Sequence, residues 1–323
     1  MQILAVVWNV RQRRLRCLPR LSIHLLGTVV LMFLVFIPVV LGLSLAEISL
    51  TDARFTAIAG VLQALVTVLS VTVACELVDR RRAYAAVVDM GLSRWDWWQL
   101  AAGLVLGAAA MSAIFAIEWG WGWIRVQRVG WGAELDVWEL LRLQLSWLLL
   151  MLAVGYSEEL LSRGYHLKNL AEGFRFLGVW PAVICAALLS SLVFGALHAA
   201  NDNATWISTL SVSLAGMMLA TARIATGSLA APVGVHISWN FFQGPLLGFP
   251  VSGHALQGSW LQLEQLGQPA WTGGAFGPEA GGLGIAAVLI LTLIFAAWGH
   301  RRQPLQRQAA ALVHFRPGRQ KLH

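Results

Sequence analysis

Charge is what this chain has least of. Asp, Glu, Lys and Arg make up 12% of its 323 residues, against roughly a quarter in a soluble domain, while 58% are hydrophobic and mean hydropathy is +0.67. That balance excludes an ordinary soluble domain and points to a chain crossing a membrane repeatedly. Cysteine is also scarce. Cys17, Cys75 and Cys185 stand far apart, with no CxxC pair and no metal-knuckle spacing, so a disulfide framework and a cysteine-based site are excluded. There is no internal repeat and no low-complexity tract. In MQILAVVWNVRQRRLRCLPR the apolar stretch precedes the charges and no small-residue cleavage site follows the first span, unlike a cleavable signal. The same stretch has the make-up of an amphipathic helix lying on a membrane surface.

What is present is apolar sequence in long runs. Runs able to cross about 30 Å of hydrocarbon, roughly 20 residues each, fall near 22–46, 55–78, 99–120, 140–162, 180–200, 205–224, 227–248 and 282–299. The fold class is therefore all-α, a polytopic membrane protein with about eight transmembrane helices. The sixth and seventh runs, joined by TARIATGSL, form a tight hairpin or a broken element. With eight crossings and a cytoplasmic start, all of the 23 Lys and Arg except Arg54, Arg125, Arg128 and Arg142 lie on the inside, so both termini are predicted to be cytoplasmic. The net charge of +7 could suggest nucleic acid, but the cations flank apolar spans, and the anionic lipid surface is the simpler partner. Trp119, Trp121, Trp123, Trp131, Trp138 and Trp147 read as an outer aromatic belt. The Gly- and Pro-rich loop 249–281 reads as irregular.

The organisation that follows is a basic tail over 1–21, three spans over 22–139, a core over 140–248, an outer loop and last span over 249–300, and a basic tail over 301–323. The core holds three polar pairs inside apolar helices. In EELLSR, Glu159 and Arg163 are i and i+4 and can pair, while Glu158 is rotated by about 100° and is left over. Charges at a helix end often only meet headgroups. That explanation suits Arg163 better than an unpaired carboxylate, which inside a membrane marks function by default. FGALH places Phe194 and His198 one turn apart, and HISWN does the same for His236 and Asn240. Taken singly, each is more simply a hydrogen-bonded contact between helices. Together, a carboxylate, two imidazoles and an amide suit acyl hydrolysis: Glu158 as general base, His198 holding the water or a metal, His236 and Asn240 polarising the carbonyl. HExxH is absent. Glu158, His198 and His236 nonetheless form a possible zinc ligand set, and a metal-free mechanism stays equally open.

EELLSRG, FGALH and HISWN resemble, in order and separation, the EExxxR, FxxxH and HxxxN motifs of the CAAX prenyl protease and bacteriocin-processing (Abi) family of intramembrane endopeptidases. FGPEAGGLG at 276–284 resembles a stretch that follows the core in some members. The resemblance implies a catalytic cavity between helices, with Glu158, His198, His236 and Asn240 catalytic and Glu159, Arg163 and Phe194 in support. It also implies a membrane-associated peptide or protein substrate, of a lipidated CAAX type in the best-understood members. A non-catalytic binding scaffold and a proton-coupled transporter are the competing classes. The transporter is disfavoured by the lack of inverted repeats. One geometric difficulty follows from the span boundaries. Glu158 and His198 would each lie about 27 Å along helices that start on opposite faces, hence at different depths unless a helix is displaced or tilted.

Overall fold

A computed structural model describes residues 7–10, 12–45, 53–81, 83–93, 95–130, 136–302 and 305–315. Within hydrocarbon every backbone N–H and C=O must be bonded inside its own segment, so apolar runs fold as helices, and about 76% of the chain is helical. A short hairpin, β1 (Trp8–Asn9) with β2 (Arg14–Leu15), leads into α1 (Cys17–Leu45). α2 (Ala53–Val73) ends in a π turn at Ala74–Val78, and α3 (Ala83–Asp89) precedes α4 (Trp97–Gly120), which is capped by the Asp96 side chain on Trp98 N. Strand β3 (Ile124–Val129) leads to α5 (Val137–Glu159), which runs through a π turn at Leu160–His166 into α6 (Leu167–Gly173). Then come α7 (Val179–Leu197), α8 (Trp206–Thr226), α9 (Ala230–Phe241) with a π turn at Phe242–Leu246, β4 (Leu261–Gln265), α10 (Pro269–Thr272), α11 (Gly282–Arg302) and α12 (Leu305–Val313).

Among the described residues, seven helices are long and apolar enough to span a membrane. They coincide with seven of the eight apolar runs. The remaining run, the seventh at 227–248, forms the shorter α9 and its π turn. Gly227, in the left-handed region at φ +71°, closes the tight hairpin after α8. Ala230 to Trp239 are all buried. α9 is thus sheathed by protein, so its length, about 25 Å with the π turn, does not have to match the lipid. Its path is still that of a crossing: Leu229 N donates to Gly91 O at one end of the molecule, and at the other Pro245 O accepts from Trp260 N beside β4. β4 pairs antiparallel with β3, so the outer loop is partly a strand rather than wholly irregular.

α9 sits in the middle because glycines let its backbone approach its neighbours. A Cβ on Gly234 would strike the Leu100 carbonyl of α4, and one on Gly155 of α5 would lie 2.6 Å from Ile237 Cγ1. These contacts fix α9 against the end of α5, where the first motif lies.

Both expected tails differ from free basic segments. Trp8–Asn9 and Arg14–Leu15 pair as the hairpin, the first six residues of the expected amphipathic helix lie outside the described residues, and α12 folds back against α7 and α6, burying Ala309, Leu312 and Val313. The reason is electrostatic. Arg14, Arg20, Arg81 and Lys168 are buried around Asp79, Asp89 and Glu172. Glu172 receives Arg14 at 2.6 Å, Arg81 at 2.9 Å, Lys168 at 3.2 Å and Arg20 at 3.4 Å. Lys168 Nζ also donates to Ala311 O and His314 O, each at 2.7 Å. These cations gather at one end of the molecule, as the loop charges imply, but pair internally because three carboxylates lie within reach. Burial pulls the Arg14 pKa down to about 10, against the opposing pull of Glu172. Burial also works against Arg81, yet Glu172, Asp79 and Asp89 outweigh it and hold that pKa above the ordinary value. Of the other loop cations, Arg11, Arg82, Arg94, Arg316, Arg319 and Lys321 lie outside the described residues, as does Trp131. In the proposed belt, Trp119, Trp121 and Trp138 are exposed, whereas Trp147 is buried because its Nε1 donates to Gln257 O at 2.9 Å.

Candidate active site

Glu158 and Glu159 are the last two residues of α5, and the π turn that follows carries Arg163. Such turns widen the helix by one residue and recur at functional sites. Glu159 Oε1 accepts from Arg163 Nη1 at 2.9 Å, the pairing that the i, i+4 spacing calls for. The same oxygen also bonds His236 Nδ1 at 2.9 Å. Because a carboxylate only accepts, Nδ1 carries the proton, and Nε2 is the nitrogen that faces Glu158, 3.8 Å from its Oε2. Glu158 is 27% exposed, and its Oε2 makes no hydrogen bond.

α7 delivers the second motif. Phe194 is buried with its ring 4.7 Å from His198, 6.2 Å from His236 and beneath the Arg163 guanidinium at 4.2 Å. It is the contact on which all three motifs meet. The Phe194 carbonyl takes the Nδ1 proton of His198 at 2.8 Å, which leaves Nε2 with a free lone pair. Arg163 also donates to Gly216 O of α8 at 3.1 Å, and glycine eases this approach, since a Cβ there would make a tight contact of 3.2 Å with Nη2.

The difficulty of depth disappears with the length of the fourth helix. Its helical path runs from Val137 to Gly173, well beyond the expected end near 162. Counted back from the turn that joins it to α7, Glu158 lies about 22 Å up one helix and His198 about 28 Å up the next. Glu158, His198, His236 and Asn240 accordingly line one cavity of about 500 Å³, bounded by α2, α5, α7, α8, α9 and the loop 251–256. Gly60, Gln63 and Thr67 of α2 form part of its wall, and Leu150, Met151, Leu197 and Met218 make much of the rest apolar. Asn240 is half-buried, one turn beyond His236.

Glu158, His198 and His236, the candidate zinc ligands, line one cavity without forming a three-ligand group. Among the described residues, no three His, Cys, Asp or Glu groups stand close enough to hold a metal ion. Two of the four imidazole nitrogens are already committed to Glu159 and to Phe194 O, and these bonds fix where the rings point.

Two groups in or beside the cavity were not among the sequence candidates. Glu279, in the FGPEAGGLG stretch, lines the cavity and accepts from Ser252 N at 2.6 Å and from Gln243 Nε2. Gln243 is fully buried and also donates to Pro250 O at 2.5 Å. The signal for Gln243 was available: His236, Asn240 and Gln243 are i, i+4 and i+7, a polar stripe on an apolar helix. Glu159 was expected to pair with Arg163, and its second role, orienting His236, follows only from the fold.

Residues 141–242, about a third of the chain, match the family described as type II CAAX prenyl endopeptidase Rce1-like. No curated protein and no solved structure matches the chain.

Proposed function

We propose, from the premise that the core of this chain is of the CAAX prenyl protease family, that it is an intramembrane endopeptidase cutting a membrane-associated peptide with water activated by Glu158. The observation that carries the reading is one cavity lined by Glu158, whose unbonded Oε2 lies 3.8 Å from His236 Nε2, and by a second oriented imidazole, His198. Water bridging Glu158 and His198 Nε2 loses a proton to Glu158 as its oxygen attacks the scissile carbonyl. The oxyanion that forms takes an N–H donor from the Asn240 amide and, with the ring protonated on both nitrogens, a second from His236 Nε2. The C–N bond breaks as the proton held by Glu158 passes to the leaving nitrogen, which releases an acid and an amine and restores the carboxylate. Glu159 holds His236, Arg163 neutralises Glu159, and Phe194 seats both histidines. No step is routed through a metal, because the donor set does not converge on one. The apolar wall gives a lipid chain or an apolar segment a place to lie.

The test is cleavage of a farnesylated peptide by the full chain reconstituted in liposomes, with and without a chelator. Wild type is expected to cut at the same rate under both conditions, and Glu158→Gln and His198→Ala to lose turnover while still inserting and folding. Wild-type rates in a folded Glu158→Gln protein would remove the basis for the reading, and loss of activity in chelator would overturn the metal-free route.

A further inference from the structure

The cavity wall has an uneven charge. It carries the carboxylates Glu158 and Glu279, the imidazoles His198, His236 and His254, and the amides Gln63, Asn201 and Asn240, and no Lys or Arg is among its lining residues. The nearest guanidinium of the motifs, Arg163, is buried against Glu159 and Gly216 O. At Glu279 the imbalance is sharpest. Both oxygens accept N–H donors, one from the Ser252 backbone and one from the Gln243 amide, and both donors are neutral. Gln243 uses its other N–H on Pro250 O, and its own Oε1 is buried with no partner. A carboxylate and an orphaned carbonyl oxygen thus belong to one hydrogen-bonded pair, in a place where a buried anion ordinarily requires a cation. Burial pushes the Glu279 pKa up to about 7, against the hydrogen bonds that favour the charged form.

We infer that Glu279 selects substrate: the cavity takes a peptide bearing a Lys or Arg side chain near the scissile bond ahead of one bearing a carboxylate there, a free C-terminal carboxylate included. An ammonium or guanidinium offers several N–H donors at once to Glu279, whereas an anion meets two carboxylates and no Lys or Arg. The inference rests on the peptidase reading and gives it a substrate class: a lipid-anchored or apolar segment with a basic residue beside the cleavage point.

The test uses the reconstituted full chain and farnesylated peptides that differ at one position next to the cleaved bond, Lys, Gln or Glu, each made as the free acid and as the C-terminal amide. Two quantities are read: kcat/KM with wild type, and competition binding to the Glu158→Gln protein, which needs no hydrolysis. The expected order is Lys above Gln above Glu and amide above acid, with at least about a tenfold spread, and Glu279→Gln compresses that spread. Equal or better use of the Glu peptide or the free acid overturns the inference, as does an unchanged spread in folded Glu279→Gln. Should that variant not fold, the wild-type order decides alone. If no peptide is cut, the peptidase reading falls, and the binding order still decides whether the cavity selects cations.

Discussion

One helical path, Val137 to Gly173, carries two sets of buried charge that behave in opposite ways. At its α6 end, Glu172 is surrounded by Arg14, Arg20, Arg81 and Lys168, and the carboxylates of Asp79 and Asp89 complete the pairing. None of its members lines the cavity of about 500 Å³, and they come from the hairpin, α1, the loop after α2, α3 and α6. Some 22 Å further along, the Glu158 side chain lines a cavity and its Oε2 has no hydrogen bond, while its neighbour Glu159 is fully buried with Oε1 paired to Arg163 and Oε2 unbonded. Buried charge that is saturated with partners holds elements together. Buried charge that keeps a free valence beside a cavity is available for chemistry.

Exchanging neutral residues into the two sets tests the contrast most directly. Glu158→Gln is expected to lower kcat by about 10³-fold and leave unfolding in detergent unchanged. Glu172→Ala should do the reverse, costing about 3–5 kcal/mol by stranding four buried cations, seen as a lower denaturation midpoint. Equal loss of stability in both would erase the distinction.

Glu279 sharpens the comparison, since it is as buried as Glu172 but has no cation. Its folded pKa, about 7, lies above the unfolded value of 4.5, so the folded state holds the proton more tightly. The stability it contributes is full below pH 4.5 and is lost as pH rises to 7, at most about 3 kcal/mol. Unfolding midpoints at pH 5 and pH 8 should therefore differ, and Glu279→Gln should remove this part of the slope. A slope that survives the substitution belongs to other groups.

The smallest expected effect is at Glu159, which belongs to both categories: its Oε1 holds Arg163 and a cavity imidazole, while its buried Oε2 makes no hydrogen bond. Glu159→Gln keeps an acceptor for His236 but loses the charge that meets Arg163. We expect kcat to fall by about 30-fold with KM unchanged, the split of a positioning residue. A parallel rise in KM would instead mean general damage to the cavity.

Much of this was legible in the sequence, and for identifiable reasons. Apolar runs of spanning length have few folds open to them, so the spans at 22–46, 99–120 and 282–299 fall on α1, α4 and α11 within a few residues. The i, i+4 spacing assigned Arg163 to Glu159 and singled out Glu158, and the geometry agrees. What could not be read were distances across the chain. The end of the fourth helix was set too early because Lys168 and Glu172 look like interfacial charges until Arg14 and Arg81 are seen to neutralise them. The second partner of Glu159 lies 77 residues away. Nor does a glycine- and proline-rich loop announce that its one glutamate in FGPEAGG reaches back into the core.

The partners of Lys168 have a consequence for biogenesis. Two of its hydrogen-bond acceptors, Ala311 O and His314 O, lie 143 and 146 residues downstream. During translation the helix bearing Glu158 must be integrated into the bilayer well before those carbonyls leave the ribosome. The clasp at its foot is therefore among the last contacts made, and a nascent chain stalled before residue 311 would carry a threaded but unlocked cavity wall, exposed to quality-control proteases.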